Sequence, residues 1–404
     1  MLIQRYIAAI GLMALGATSM AHAGSPTCVA PETKLSWPAV NPVWEMCWLA
    51  PDDSVGPAGS GMELRNVYWN GQLVLRRAHA PMLFAEYKDG NGGDCYRDWK
   101  DEPTSTLAAN AVQNQLGDIP PGGNAAITSC DRSQDPTDSY GYCPYQLPVP
   151  TGYSCTQGVA IENMGNRVRL TAQYIADWYM YSSRMEFYVD GRIKPTFGFG
   201  NRNGTFNGVT HWHHNYWRFE FDMEGLGNNV VSIDNSDQAS EFIDLRNSGG
   251  GPGGGPRTWS VRNPSTGNGY RMVPGASDYE YATNESGRGF HTVDFMATRA
   301  HANEYGDNPN YDLFDCEMHQ ENIVNGENIA NTNQAIYYRV AVRDTTANSW
   351  PPGCSGGNCQ AQNSMVCKSV GPTLYPFGPW ADLIFADGFD VLVPGARPYL
   401  LTDA

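Results

Sequence analysis

His211-Trp212-His213-His214-Asn215-Tyr216-Trp217-Arg218-Phe219-Glu220-Phe221-Asp222 sets bulky apolar residues against polar ones in near alternation. Side chains at i and i+2 of a strand point to one face, so the run reads as a half-buried β-strand. His211 and His213 then share a face, and two neutral imidazoles side by side suit copper or zinc. Spacing alone leaves a second reading open, in which both are polar side chains on an exposed strand face.

Outward from this stretch the same short alternation recurs at Asn66–Arg76, Arg167–Tyr174, Met185–Val189 and Ala335–Val342, separated by turn residues. With 44 Gly and 27 Pro in 404 residues and few helical patterns, the expectation is an all-β fold, a large antiparallel β-sandwich. The short helix expected is Leu107–Leu116. No linker or internal repeat divides residues 24–404, which read as a single domain. The Gly-rich run at 247–256 reads as a mobile surface loop.

Residues 1–23 have the form of a secretory signal peptide. Arg5 supplies the charge, Ile7 to Ala17 the apolar core and Ala21-His22-Ala23 the cleavage site. No other run approaches the ~20 apolar residues of a transmembrane helix. All ten cysteines follow the cleavage site, and an even number in an exported chain points to disulfides. A net charge of −16 argues against nucleic acid or anionic membranes as partners and is compatible with a cationic ligand such as an amine.

His211-x-His213 followed by Arg218 to Gly225 resembles the copper-ligand strand of the copper amine oxidases. Further stretches resemble that family in chain order: Gly61 to Arg76, Ala85 to Gly90, Arg262 to Pro274, Ala297 to Glu304 and Val370 to Gly378. The resemblance runs from about residue 37 to 380 and implies the family's catalytic domain without the small α/β domains that usually precede it. It implies oxidative deamination of primary amines by a topaquinone made from a tyrosine, with three copper-bound histidines and an aspartate base. It also implies the family's homodimer.

Residue by residue, the resemblance is incomplete. Thr171-Ala172-Gln173-Tyr174 matches the motif of the cofactor tyrosine and puts Ala172 at its position, with Tyr174 as the fallback. The third copper histidine falls near Thr345 or Thr346, before Trp350-Pro351, and no histidine occurs after His319. His214, His291, His301 or a carboxylate would have to complete the site, so copper or zinc is expected to bind weakly. Tyr96-Arg97-Asp98 matches the channel tyrosine and the base, with the alternative of an acidic surface turn. Glu220, Phe221 and Asp222 match a peripheral calcium site, with Gln334 where a further acid belongs. The resemblance also implies a Cys130–Cys155 bridge.

Two functions follow as expectations. One is an exported pseudoenzyme without topaquinone, acting as a binding or envelope-associated protein. The other is an active primary-amine oxidase with a displaced cofactor tyrosine or metal ligand.

Overall fold

A computed structural model of the chain describes residues 24–49, 53–54, 62–87, 95–97, 106–107, 159–176, 179–201, 211–225, 227–246, 257–278, 293–301, 323–344 and 367–381. The signal peptide, the Gly-rich loop, Cys130, Cys155 and Asp98 lie outside them. In chain order the strands are β1 (Thr33–Trp37), β2 (Trp44–Leu49), β3 (Glu63–Trp69), β4 (Gln72–Tyr87), β5 (Cys95–Arg97), β6 (Thr106–Leu107) and β7 (Ala160–Asn163). They continue with β8 (Arg167–Ala176), β9 (Tyr179–Tyr188), β10 (Ile193–Asn201), β11 (His211–Phe221), β12 (Val230–Ile233), β13 (Ser236–Gln238) and β14 (Phe242–Asp244). The last are β15 (Trp259–Arg262), β16 (Gly269–Val273), β17 (Phe295–Arg299), β18 (Gln334–Asp344), β19 (Cys367–Val370) and β20 (Thr373–Phe377).

These strands form two antiparallel sheets, as the alternation predicts. The first runs β1-β2-β3-β4-β11-β18-β17-β14, with β5 beside β4. The second runs β13-β12-β15-β16-β20-β10-β9-β8-β6, with β19 beside β10 and β7 beside β8. One core lies between them. From β11 it takes Trp217, Phe219 and Phe221, and from β18 Ile336, Tyr338, Val340 and Val342. Trp44 of β2 packs on Trp69 of β3 at 6.0 Å and on Phe187 of β9 at 4.9 Å, and its Nε1–H donates to the Tyr188 carbonyl at 2.7 Å. Such aromatic contacts add ~0.5–1.5 kcal/mol each beyond the area they bury.

Two local outcomes differ from the expectations, and a third adds to them. Asn66–Arg76 is a hairpin and not one strand. Asn70 (φ 48°) and Gly71 (φ 72°) turn the chain between β3 and β4, because Asn-Gly tolerates the left-handed conformations that a two-residue hairpin demands. Leu107 closes a short strand instead of opening a helix, and 108–116 lie outside the described residues. The ladder between β4 and β11 shifts register twice, between Tyr216 and Arg218 and between Glu220 and Phe221. The first shift brackets Pro81, which has no N–H to give a central strand, and a bulge absorbs the lost bond.

Cys28 and Cys47 form a disulfide, Cα atoms 5.5 Å apart, which ties the segment before β1 to β2. Peptide mapping under non-reducing conditions should recover these two cysteines as one linked fragment; free thiols at both would contradict the arrangement.

Candidate functional site

β11 is buried on both sides. Its inward residues face the second sheet, while Tyr216, Arg218 and Glu220 face the opposite way. His213 is fully buried on the inward face. Its Nδ1 lies 2.8 Å from the Tyr181 hydroxyl of β9, so the pair bridges the two sheets. The imidazole stacks on Phe199 of β10 with ring centroids 3.9 Å apart, and Tyr181 packs between Phe197 and Phe199 at 5.9 and 5.7 Å. A neutral imidazole carries one donor and one acceptor nitrogen. If the phenol donates to Nδ1, the ring proton sits on Nε2; if it accepts from Nδ1–H, a lone pair is left on Nε2. Only the second arrangement allows His213 to ligate a metal.

Several sequence-predicted positions converge on this pair. Ala172 of β8 is fully buried in the same inter-sheet core. Its cross-strand partner is Ser183, which makes it the diagonal neighbour of Tyr181. Tyr174 stands in register opposite Tyr181. Tyr96 of β5 pairs with Ala85 of β4, and Ala85 pairs with His213, so those positions form one row across the sheet. His211 opens β11 in register with Tyr87 and Asp344. Side chains of Tyr96, Tyr174 and His211, like Asp98 as a whole, lie outside the described residues.

Other predicted ligands go elsewhere. His214 is on the opposite face of β11, its Nδ1 3.3 Å from Arg339. His301 Nε2 meets Glu327 at 2.6 Å near the surface. His291, Thr345 and Thr346 lie outside the described residues. Among those residues, the grouping of three His, Cys, Asp or Glu side chains close enough to share an ion is Cys28, Glu32 and Cys47, where the cysteines are the disulfide. The described residues therefore bring one imidazole, His213, to the predicted copper position.

Glu220, Phe221 and Asp222 do not fit calcium. Glu220 is bonded to Arg218 and lies 3.9 Å from Arg77. Asp222 lies 3.6 Å from Arg76 and accepts from the Gly225 N–H, and burial raises its carboxyl. The Phe221 carbonyl accepts from Asn229 at 3.4 Å, while the Gln334 amide donates to Asn229 and Ile329 carbonyls. Calcium asks for six to eight free oxygens. Here guanidinium groups hold the carboxylates.

Those contacts belong to a charge ladder on the outer face of the first sheet. Glu32, Arg65, Glu63 and Arg77 follow one another at 3.0, 2.7 and 2.9 Å, and the series continues through Glu220 and Arg218 to the Tyr337 hydroxyl at 3.1 Å. Beyond it, Arg339 donates to Asp294 at 2.8 Å and Arg246 lies 3.3 Å from the same carboxylate. Burial raises Glu63, but His79, Arg77 and Arg65 outweigh it and hold its pKa below the ordinary value. Burial likewise raises Asp294, and Arg339 and Arg246 outweigh it. On the other sheet burial raises Glu186, against Arg169, Arg167 and Arg184, with the same net lowering.

A carboxyl lowered by folding adds stability that is complete above its unfolded pKa, about 4. That stability is lost as pH falls through the lowered folded value. The denaturant midpoint should therefore hold steady above about pH 5 and fall steeply below about pH 4. Glu63→Gln should flatten the fall; an acid limb of unchanged slope would exclude the ladder as its source.

No protein-family model matches the chain, and no curated protein matches it by sequence. Solved structures do match its fold. A copper-containing benzylamine oxidase from Hansenula polymorpha shares 14% identity, covering 85% of this chain and 59% of that one, with a TM-score of 0.51. An Aspergillus nidulans amine oxidase shares 14% identity over 92% and 56% of the two chains, TM-score 0.51. Pichia pastoris lysyl oxidase shares 12% identity over 93% and 56%, TM-score 0.50. The chain thus spans less than three fifths of each of these proteins, and what it shares with them is the fold.

Proposed function

We propose that the chain is an exported protein on a copper amine oxidase fold that has lost oxidative deamination and acts by binding, at the cell envelope or outside it. The observation that carries this reading is Ala172. It occupies the position matched to the cofactor tyrosine, in the same buried layer as Tyr181 and His213. Oxidising a primary amine removes a proton and two electrons from the substrate carbon. Asp98 as a base would take the proton, but a carboxylate holds no electrons and the reaction needs a cofactor that does. An alanine methyl cannot be converted to a quinone. The donor set supports the same reading, since copper that builds such a cofactor needs its full ligand set and the chain lacks any histidine after His319.

A second reading rests on one specific observation. Tyr181 places a phenol hydroxyl on the imidazole matched to copper, which is where a displaced cofactor tyrosine would have to stand. Copper-loaded protein in air, offered a panel of primary amines, separates the two readings. The first expects no hydrogen peroxide above the copper blank. Peroxide released catalytically, and abolished in Tyr181→Phe, would replace it with the second.

A further inference from the structure

The inward face of β11 carries His213, Asn215, Trp217, Phe219 and Phe221 in succession. Asn215 has the smallest side chain of these and is 1% exposed. Its cross-strand partners, Leu83 of β4 and Val340 of β18, are fully buried members of the core between the sheets. One step along the same face, Tyr181 and Phe199 of the second sheet pack on His213. A carboxamide is thus set among aliphatic and aromatic side chains, beside the imidazole matched to copper.

A carboxamide brings two N–H donors and an oxygen with two lone pairs. Neither Nδ2 nor Oδ1 of Asn215 has a hydrogen-bond partner among the described residues, and both atoms are fully buried. The indole Nε1–H of Trp217, next on the same face, is buried and unpartnered in the same way. Such groups are rare in folded proteins, because each forfeits the hydrogen bonds it makes to water in the unfolded chain. Two of them at neighbouring places on one strand face point to a shared partner that is not a protein side chain. The backbone is irregular at the same place. Opposite Trp217, β4 sets two positions, Ala80 and Pro81, against one of β11, and a bulge of this kind bends the strand that carries it.

We propose that Asn215 and Trp217 hold ordered water between the sheets, in a notch where the short asparagine stands between the larger rings of His213 and Trp217. Side chains at i and i+2 of a strand leave it about 6.8 Å apart, a span that a bridging water covers. The water accepts from the indole N–H and from the carboxamide N–H and donates to the carboxamide oxygen, which gives it the roughly three bonds usual for internal water. A guest that reaches this place must reproduce those bonds or lose affinity. The notch therefore selects a small uncharged molecule that both donates and accepts, and rejects an apolar one. This holds whether or not the inter-sheet site oxidises amines.

Magnetic relaxation dispersion of oxygen-17 and deuterium in solutions of the full chain counts water molecules held for long times inside the fold. The wild-type count should exceed that of Asn215→Leu, a change close in size that removes both amide groups, by at least one. Circular dichroism checks that the variant folds. A high-resolution crystal structure of the wild-type protein needs no variant, and should show water within hydrogen-bond distance of the Asn215 carboxamide. Three results would overturn the proposal. They are an equal count in folded Asn215→Leu, a carboxamide bonded directly to a protein group, or xenon taken up at Asn215 under pressure, since xenon enters dry apolar cavities.

Discussion

Asp294→Ala should destabilise the protein by about 3–5 kcal/mol, the usual loss when one partner is removed from a buried charge pair. Asp294 sits between two almost fully buried guanidinium groups, accepting from Arg339 at 2.8 Å and from the Arg246 backbone N–H at 2.9 Å. The coulombic pull of both arginines keeps the carboxyl ionised against its burial. Truncation leaves those positive charges beside each other in a region shielded from water. Asp294→Asn keeps the shape and most hydrogen bonds but removes the charge, and should fall between wild type and alanine. Urea denaturation at pH 7 measures all three. Equal midpoints for Asp294→Asn and wild type would show that the charge itself contributes nothing.

Ala172→Tyr should fail to produce a quinone and should also cost stability. The alanine is fully buried, in a layer already filled by Tyr181, Phe197 and Phe199. Forcing extra volume into a packed core costs about 1–3 kcal/mol for a few methylenes, and a phenol ring is larger than that. On the proposed reading, a cofactor tyrosine at this position would need the surrounding rings to be smaller or absent. A more instructive variant is Ala172→Tyr combined with Phe197→Ala, which opens room in the same layer. It should recover part of the lost stability yet show no visible band after copper loading, since on the proposed reading the ligand set is still incomplete. A midpoint for Ala172→Tyr equal to wild type would mean that the layer holds space the packing does not indicate.

The stretch from His211 to Asp222 was legible as a strand because bulky and polar residues alternate along it. The same alternation misleads about its outer face. A half-buried strand would turn Arg218 and Glu220 to solvent, yet both are buried, because the outer side of the first sheet is covered as well. Period-two patterning reports which side chains share a face; it does not report whether the polar side meets water. Asn70-Gly71 was a readable hairpin signal inside a segment taken as one strand. Tyr181 had no local signature. It reaches His213 only because the second sheet packs over the first, and a contact between strands 32 residues apart is a product of the fold. Thr171 and Tyr174 are the neighbours through which the resemblance matches Ala172, and what the fold adds is that Ala172 is fully buried in the core between the sheets.

Titration of aerobically copper-loaded protein with phenylhydrazine tests the central claim most directly, because the reagent traps a quinone carbonyl as a coloured adduct whether or not the right amine is known. The account predicts no coloured adduct in wild type and none in Tyr181→Phe. A stoichiometric adduct in wild type that disappears in Tyr181→Phe would contradict it, and would identify Tyr181 as a cofactor tyrosine in a working amine oxidase.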